Sequence, residues 1–149
     1  MAKEFRDYLG GETARPRLGF FINEMYKLER DYFDVEFERI GITFSQFRVL
    51  NWLWREGELT QRQIHELINI KPSSLSNTLK ILVKKGLVVQ KFDARDARVR
   101  KIALTDAAKA IEKEAWEIIE SFDARVRAVL GAQEYERTVT NLEKLIENL

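Results

Sequence analysis

Two short sequences constrain this chain more than anything else in it: Thr43-Phe44-Ser45-Gln46 and Thr60-Gln61-Arg62-Gln63. In each, the threonine hydroxyl can accept from the backbone amide three residues on. The glutamine side chain can reach back to the threonine amide, so two free donors at a helix start are satisfied together. The pattern predicts helices beginning at Phe44 and Gln61. The first turns Phe44, Phe47, Leu50, Leu53 and Trp54 inward and stops at Gly57. The second turns Ile64, Leu67 and Ile68 inward. Lys71-Pro72 then opens a third helix, because proline at the first helical position lacks only an amide that no helix uses. That helix buries Leu75, Leu79, Leu82 and Val83 and ends at Gly86, while its other face shows Ser73, Ser74, Ser76, Asn77, Lys80 and Lys84. The outer face is small, polar and basic.

Leu87 to Phe92 and Arg98 to Leu104 alternate as strands do, around the charged tip Asp93-Ala94-Arg95-Asp96-Ala97-Arg98. Long helical blocks flank this centre. From Pro16 to about Arg39, Leu18, Phe21, Ile22, Met25, Leu28, Tyr32 and Phe33 recur at three- and four-residue steps, with Gly41 as the stop. Residues 1–15 read as a loose arm or short helix. Thr105-Asp106 caps a helix expected to run to Leu130 through Ile111, Ala115, Ile118, Phe122, Val126 and Val129. After Gly131, Tyr135, Val139, Leu142, Ile146 and Leu149 form a short heptad seam. Apolar surface of that extent exceeds what one small core covers, so both blocks are expected to meet a second subunit. The expected fold is mainly α: a winged helix-turn-helix with a two-stranded β wing and long N- and C-terminal dimerisation helices. Its organisation is a single domain over 1–149, with the winged helix-turn-helix lobe at 43–104 and the dimerisation region at 16–40 plus 105–149.

A net charge of +1 conceals an uneven distribution. Residues 1–42 carry −2, 43–70 are neutral, 71–101 carry +7 and 103–149 carry −4. A basic stripe on a neutral chain is the electrostatic footprint of nucleic-acid binding. Other functions recede. Without cysteine there is no disulfide, thiolate metal site or redox thiol, and His65 alone cannot make a multi-histidine metal site. Nothing around His65 marks a nucleophile elbow or oxyanion loop, and the glycines form no phosphate loop, so neither catalysis nor a cofactor is expected. No apolar run reaches the ~18 residues of a membrane span, and the opening residues mix both charge signs; the expected compartment is the cytoplasm.

Two short helices joined by Asn69-Ile70-Lys71 and followed by a hairpin suit duplex DNA by size. One helix fits the major groove, and small outward residues let its backbone approach the base edges. The serines and Asn77 can bond bases or phosphates, and Lys80 and Lys84 neutralise phosphates. The hairpin can reach the narrow minor groove, whose negative potential attracts arginine. The alternative is a winged helix used for protein contact, or an architectural module that binds DNA without sequence preference.

Residues 43–108 resemble the multiple antibiotic resistance regulator (MarR) family. The stretches that carry the likeness are I-T-F-S-Q-F-R-V-L at 42–50, L-T-Q-R-Q-I-H-E-L-I-N-I-K-P-S-S-L-S-N-T-L at 59–79, and L-V-K-K-G-L-V at 82–88. The wing D-A-R-D-A-R at 93–98 is the most specific, and I-A-L-T at 102–105 completes the pattern. Ala108 departs from it, standing where the family usually has glycine. The resemblance implies a homodimeric regulator, more often a repressor, on a pseudo-palindromic operator. It implies Arg95 as the wing-tip arginine for the minor groove, Asp93 and Asp96 as wing braces, and Arg98 as a brace that also lies near phosphate. Asp93 and Asp96 equally read as turn formers. It further implies a small aromatic or anionic effector, whereas plain packing is the favoured account of Phe20, Phe21, Tyr26, Phe44, Trp52, Trp54 and Trp116.

Overall fold

The computed structural model describes residues 18–93, 96 and 98–149. The expected arm at 1–15 and the wing-tip Arg95 lie outside the described residues. The elements are α1 (Leu18–Arg39), α2 (Phe44–Glu56), β1 (Leu59–Thr60), α3 (Gln61–Ile68) and α4 (Pro72–Lys84), then β2 (Val88–Phe92), β3 (Arg100–Leu104), α5 (Asp106–Ala110), α6 (Glu112–Leu130) and α7 (Ala132–Asn148). The chain divides into two units, Met1–Tyr32 and Phe33–Leu149. In the first, the described part of α1 leaves Leu18, Phe21, Ile22, Met25, Tyr26 and Leu28 exposed.

In the second unit both capping boxes form as expected. Thr43 Oγ1 accepts from the Gln46 amide and Gln46 Oε1 from the Thr43 amide. Thr60 and Gln63 repeat the exchange. Gly41 and Gly86 end α1 and α4 in the left-handed region, at φ 75° and 69°. Each turn closes with a pair of carbonyl bonds: Gly41 to Glu38 and Ile42 to Phe37, then Gly86 to Val83 and Leu87 to Leu82. Orphan carbonyls at both helix ends are thereby satisfied.

The core is one apolar body. Val49, Leu50, Leu53, Ile64, Leu75, Leu79, Leu82, Val88 and Ile102 are almost fully buried. A run of rings continues it, with Phe33 stacked on Phe44 at 4.8 Å, Phe37 on Phe47 at 4.7 Å, and Trp116 edge-on to Phe47 at 5.9 Å. Offset and edge-to-face arrangements suit the ring quadrupoles. Ala108 is fully buried, so its methyl is accommodated inside.

Several expectations need correction. Leu67 and Val83 are exposed, because the buried stripes run Ile64–Ile68 and Leu75–Leu79–Leu82 and stop beside them. Val129 is 85% exposed, since α6 buries only Ala115 and Ile118 near its start. The helix after Thr105 is interrupted at Ile111 (φ −92°, ψ −3°), where Trp54 Nε1 takes the Ala108 carbonyl that would otherwise serve the next turn. The second wing strand begins at Arg100, because the Val99 amide is turned back onto the Asp96 carbonyl. A third strand joins the wing pair: β1 pairs antiparallel with β3, Leu59 opposite Ile102, giving the order β1-β3-β2.

Candidate nucleic-acid interface

Helix α4 and the β2–β3 wing together make the exposed basic surface, and each is held locally. Asn69 adopts φ 53°, ψ 51°, the left-handed conformation that asparagine tolerates best after glycine. The Arg48 guanidinium donates to the Ile68 carbonyl at 2.9 Å and pins the turn between α3 and α4. Pro72 occupies the first helical position of α4 as expected. Ser73, Ser74, Asn77, Lys80 and Lys84 are all exposed.

Ser76 is half-buried and differs from the rest of that face. Its hydroxyl accepts from the Gln61 side-chain amide at 2.7 Å, so it joins α4 to the first residue of α3. The Ser74 carbonyl accepts from the Thr78 hydroxyl at 3.0 Å. His65 is half-buried on α3, where its backbone carbonyl accepts from the Asn69 amide. No group of residues that could hold a metal ion occurs among the described residues.

The wing aspartates play distinct parts. Asp93 donates its amide to the Val99 carbonyl at 2.8 Å, and its carboxylate pairs with the Lys101 ammonium. Asp96 makes the turn itself: Oδ1 accepts from the Arg98 amide at 2.9 Å. Arg98 is exposed, as is Arg100, whose guanidinium lies over the exposed Phe92 ring at 5.6 Å from its centroid.

The lysines of the basic segment therefore fall into two groups. Lys91 is paired with Glu58 at 3.2 Å, Lys101 with Asp93, and Lys85 is bonded to the Gly41 carbonyl and the Gln46 side chain. Lys71, Lys80 and Lys84 have no ion-pair partner among the described residues; all three are exposed, Lys71 just before α4 and the other two on its outward side. The first group was invisible to a charge count, because their partners lie 8 to 44 positions away in sequence. Chemically the surface offers hydroxyls, one amide and unpaired ammonium groups on a single convex helix, a set suited to phosphate oxygens and base edges.

Parts of the chain are similar to known proteins. The MarR family model matches residues 40–99. An uncharacterized HTH-type transcriptional regulator of Bacillus subtilis (strain 168), YwaE, is 29% identical over 109 residues, covering 73% of this chain. The match spans 64% of that curated relative's length. A MarR transcriptional regulator from Methanosarcina mazei Go1 has a similar structure, with a TM-score of 0.79 at 24% identity over 88% of this chain and 94% of that one. A mutant MarR from E. coli complexed with operator DNA gives 0.78 at 22% identity, over 86% of this chain and 92% of that one. At these identities the structural likeness concerns the fold.

Proposed function

We infer, from the MarR family model that matches residues 40–99, that this chain is a DNA-binding transcription regulator and not an enzyme. It acts as a homodimer on a pseudo-palindromic operator and represses by occluding a promoter. The observation that carries this reading is the outward side of α4, where Ser73, Asn77, Lys80 and Lys84 are exposed together. Its small polar side chains would meet base edges while the ammonium groups meet phosphate.

The dimer rests on the chain ends, each taken separately. Helix α7 has no buried residue and leaves Leu142, Leu145 and Ile146 exposed, while the first unit exposes Leu18, Phe21, Ile22 and Met25. Apolar surface of that extent marks an interaction site. A two-fold dimer would set two α4 helices about 34 Å apart, one helical turn of DNA. The cytoplasm is the compartment that fits this reading, and no helix among the described residues is long and apolar enough to cross a membrane. Release by a small aromatic or anionic effector rests on the resemblance, because Phe44, Phe47, Trp54 and Trp116 are engaged with one another.

Selection from a random-sequence duplex pool by the purified protein tests this reading. An enriched inverted repeat, with half-site centres about one turn apart, is the expected result. Binding that enriches no common sequence would instead identify an architectural module.

A further inference from the structure

Lys85 lies inside the basic segment, yet its ammonium is engaged at a junction of three helix ends. It donates to the Gly41 carbonyl at 2.7 Å and to Gln46 Oε1 at 2.9 Å. Gly41 sits in the turn that closes α1, and Lys85 itself caps the end of α4, next to the corresponding turn at Gly86. A cation is favoured among the free carbonyls of a helix C-terminus. Gln46 is the one buried polar side chain among the described residues, 4% exposed. Its Oε1 already accepts from the Thr43 amide in the capping box of α2. One oxygen thus receives the start of α2 and the end of α4.

We propose that Lys85 is a positioning residue for DNA reading rather than a phosphate contact. By holding the end of α4 against Gly41 and Gln46, it sets the angle at which α4 is presented. This rests on the function proposed above. The neighbouring Lys84, with no such partner, serves as the phosphate-contacting comparison. A hydrogen bond to a charged donor is among the stronger kinds, and its direction fixes geometry as well as contributing energy. Because Gln46 Oε1 keeps the Thr43 bond when the ammonium is removed, loss of Lys85 leaves no buried oxygen orphaned. The helix end loses an anchor while the core is undisturbed.

The test uses the full-length protein and the inverted repeat it enriches from a random duplex pool, with unselected pool DNA as competitor. Lys85→Met should lower the operator-to-random affinity ratio by roughly tenfold, within the range of couplings carried through packed elements. The slope of log affinity against log salt should not change. Lys84→Met should do the reverse, reducing the slope by about 0.9 for one lost phosphate contact and sparing the ratio. Gln46→Met should lower the ratio as Lys85→Met does, and Gln46→Glu, which keeps the acceptor oxygens, should retain it. A reduced slope with an unchanged ratio in Lys85→Met overturns the proposal and makes Lys85 a phosphate contact. Thermal unfolding of the free protein supplies a reading that needs no DNA. Lys85→Met and Gln46→Met should be non-additive in a double-mutant cycle, and additivity would overturn the contact itself. If the wild-type protein prefers no sequence, the regulator reading fails and this role falls with it, while the unfolding cycle still reports on the contact.

Discussion

The side-chain amide of Gln61 donates to the hydroxyl of Ser76 across 2.7 Å, tying the first residue of α3 to the half-buried edge of the exposed side of α4. Ser76 thus supports the surface from within it. Gln61→Ala and Ser76→Ala should each weaken operator binding by a similar factor, and the double variant should be little worse than either alone. Affinity measured for all three proteins on one duplex checks this. A Gln61→Ala protein with wild-type affinity beside a weak Ser76→Ala would make Ser76 a direct DNA contact instead.

Gly86 has φ 69°, and a Cβ built there meets nothing within 4 Å. The cost of Gly86→Ala is therefore conformational and not steric, about 1–2 kcal/mol for an L-residue held in the left-handed region. Chemical denaturation of the variant should show a lower midpoint with an unchanged m-value. A midpoint equal to wild type would mean that the turn relaxes and that the α4 end is less fixed than drawn.

Ile146 is 81% exposed on α7, and no residue of that helix is buried within the chain. An interface there predicts a specific dissociation of effects for Ile146→Asp. Helical content at high dilution should be nearly unchanged, while the dimer seen by sedimentation is lost and the melting temperature stops rising with protein concentration. A variant that remains dimeric would move the interface elsewhere.

The Tyr135 phenol is held above the usual tyrosine value of 10.0, first by desolvation and then by the Asp123 carboxylate, with Arg127 opposing. The Arg127 guanidinium lies over its ring at 4.1 Å from the centroid. A raised folded-state value means that the neutral phenol is favoured by folding. Its contribution is fully present below pH 10 and is lost as pH climbs through the folded value. Spectrophotometric titration should place the Tyr135 transition above that of free tyrosine, and Asp123→Asn should bring it down. A transition at the free-tyrosine position would remove this contact from the α6–α7 hairpin.

What the sequence disclosed and what it hid divide along the range of the interactions. The caps at Thr43 and Thr60, the stop at Gly86 and the start at Pro72 were legible because each depends on neighbours within a few residues. Strand β1 was not: two residues have no period, and Leu59 finds its partner at Ile102. The break at Ile111 was hidden for the same reason, since Trp54 lies far upstream of the carbonyl it takes. Leu67 and Val83 fit the helical period yet stand outside the buried stripe, because period marks a face and not the width of what covers it. In the candidate interface, residue types on α4 could be read off directly. The engagement of Lys85, Lys91 and Lys101 could not, because charge along a chain does not reveal partners across the fold.

The most direct test of α4 as the DNA-reading element compares Asn77→Ala with Lys80→Ala across a library of operator variants at several salt concentrations. Asn77 offers an amide suited to pairing with adenine in the major groove, and Lys80 offers a point charge for phosphate. Asn77→Ala should relax the consensus at one or two positions per half-site, losing about 1–3 kcal/mol of discrimination, with the salt slope intact. Lys80→Ala should lower the slope by about 0.9 and weaken all sequences alike. If both variants keep the wild-type consensus and the wild-type slope, α4 does not read DNA, and the account of this surface is contradicted.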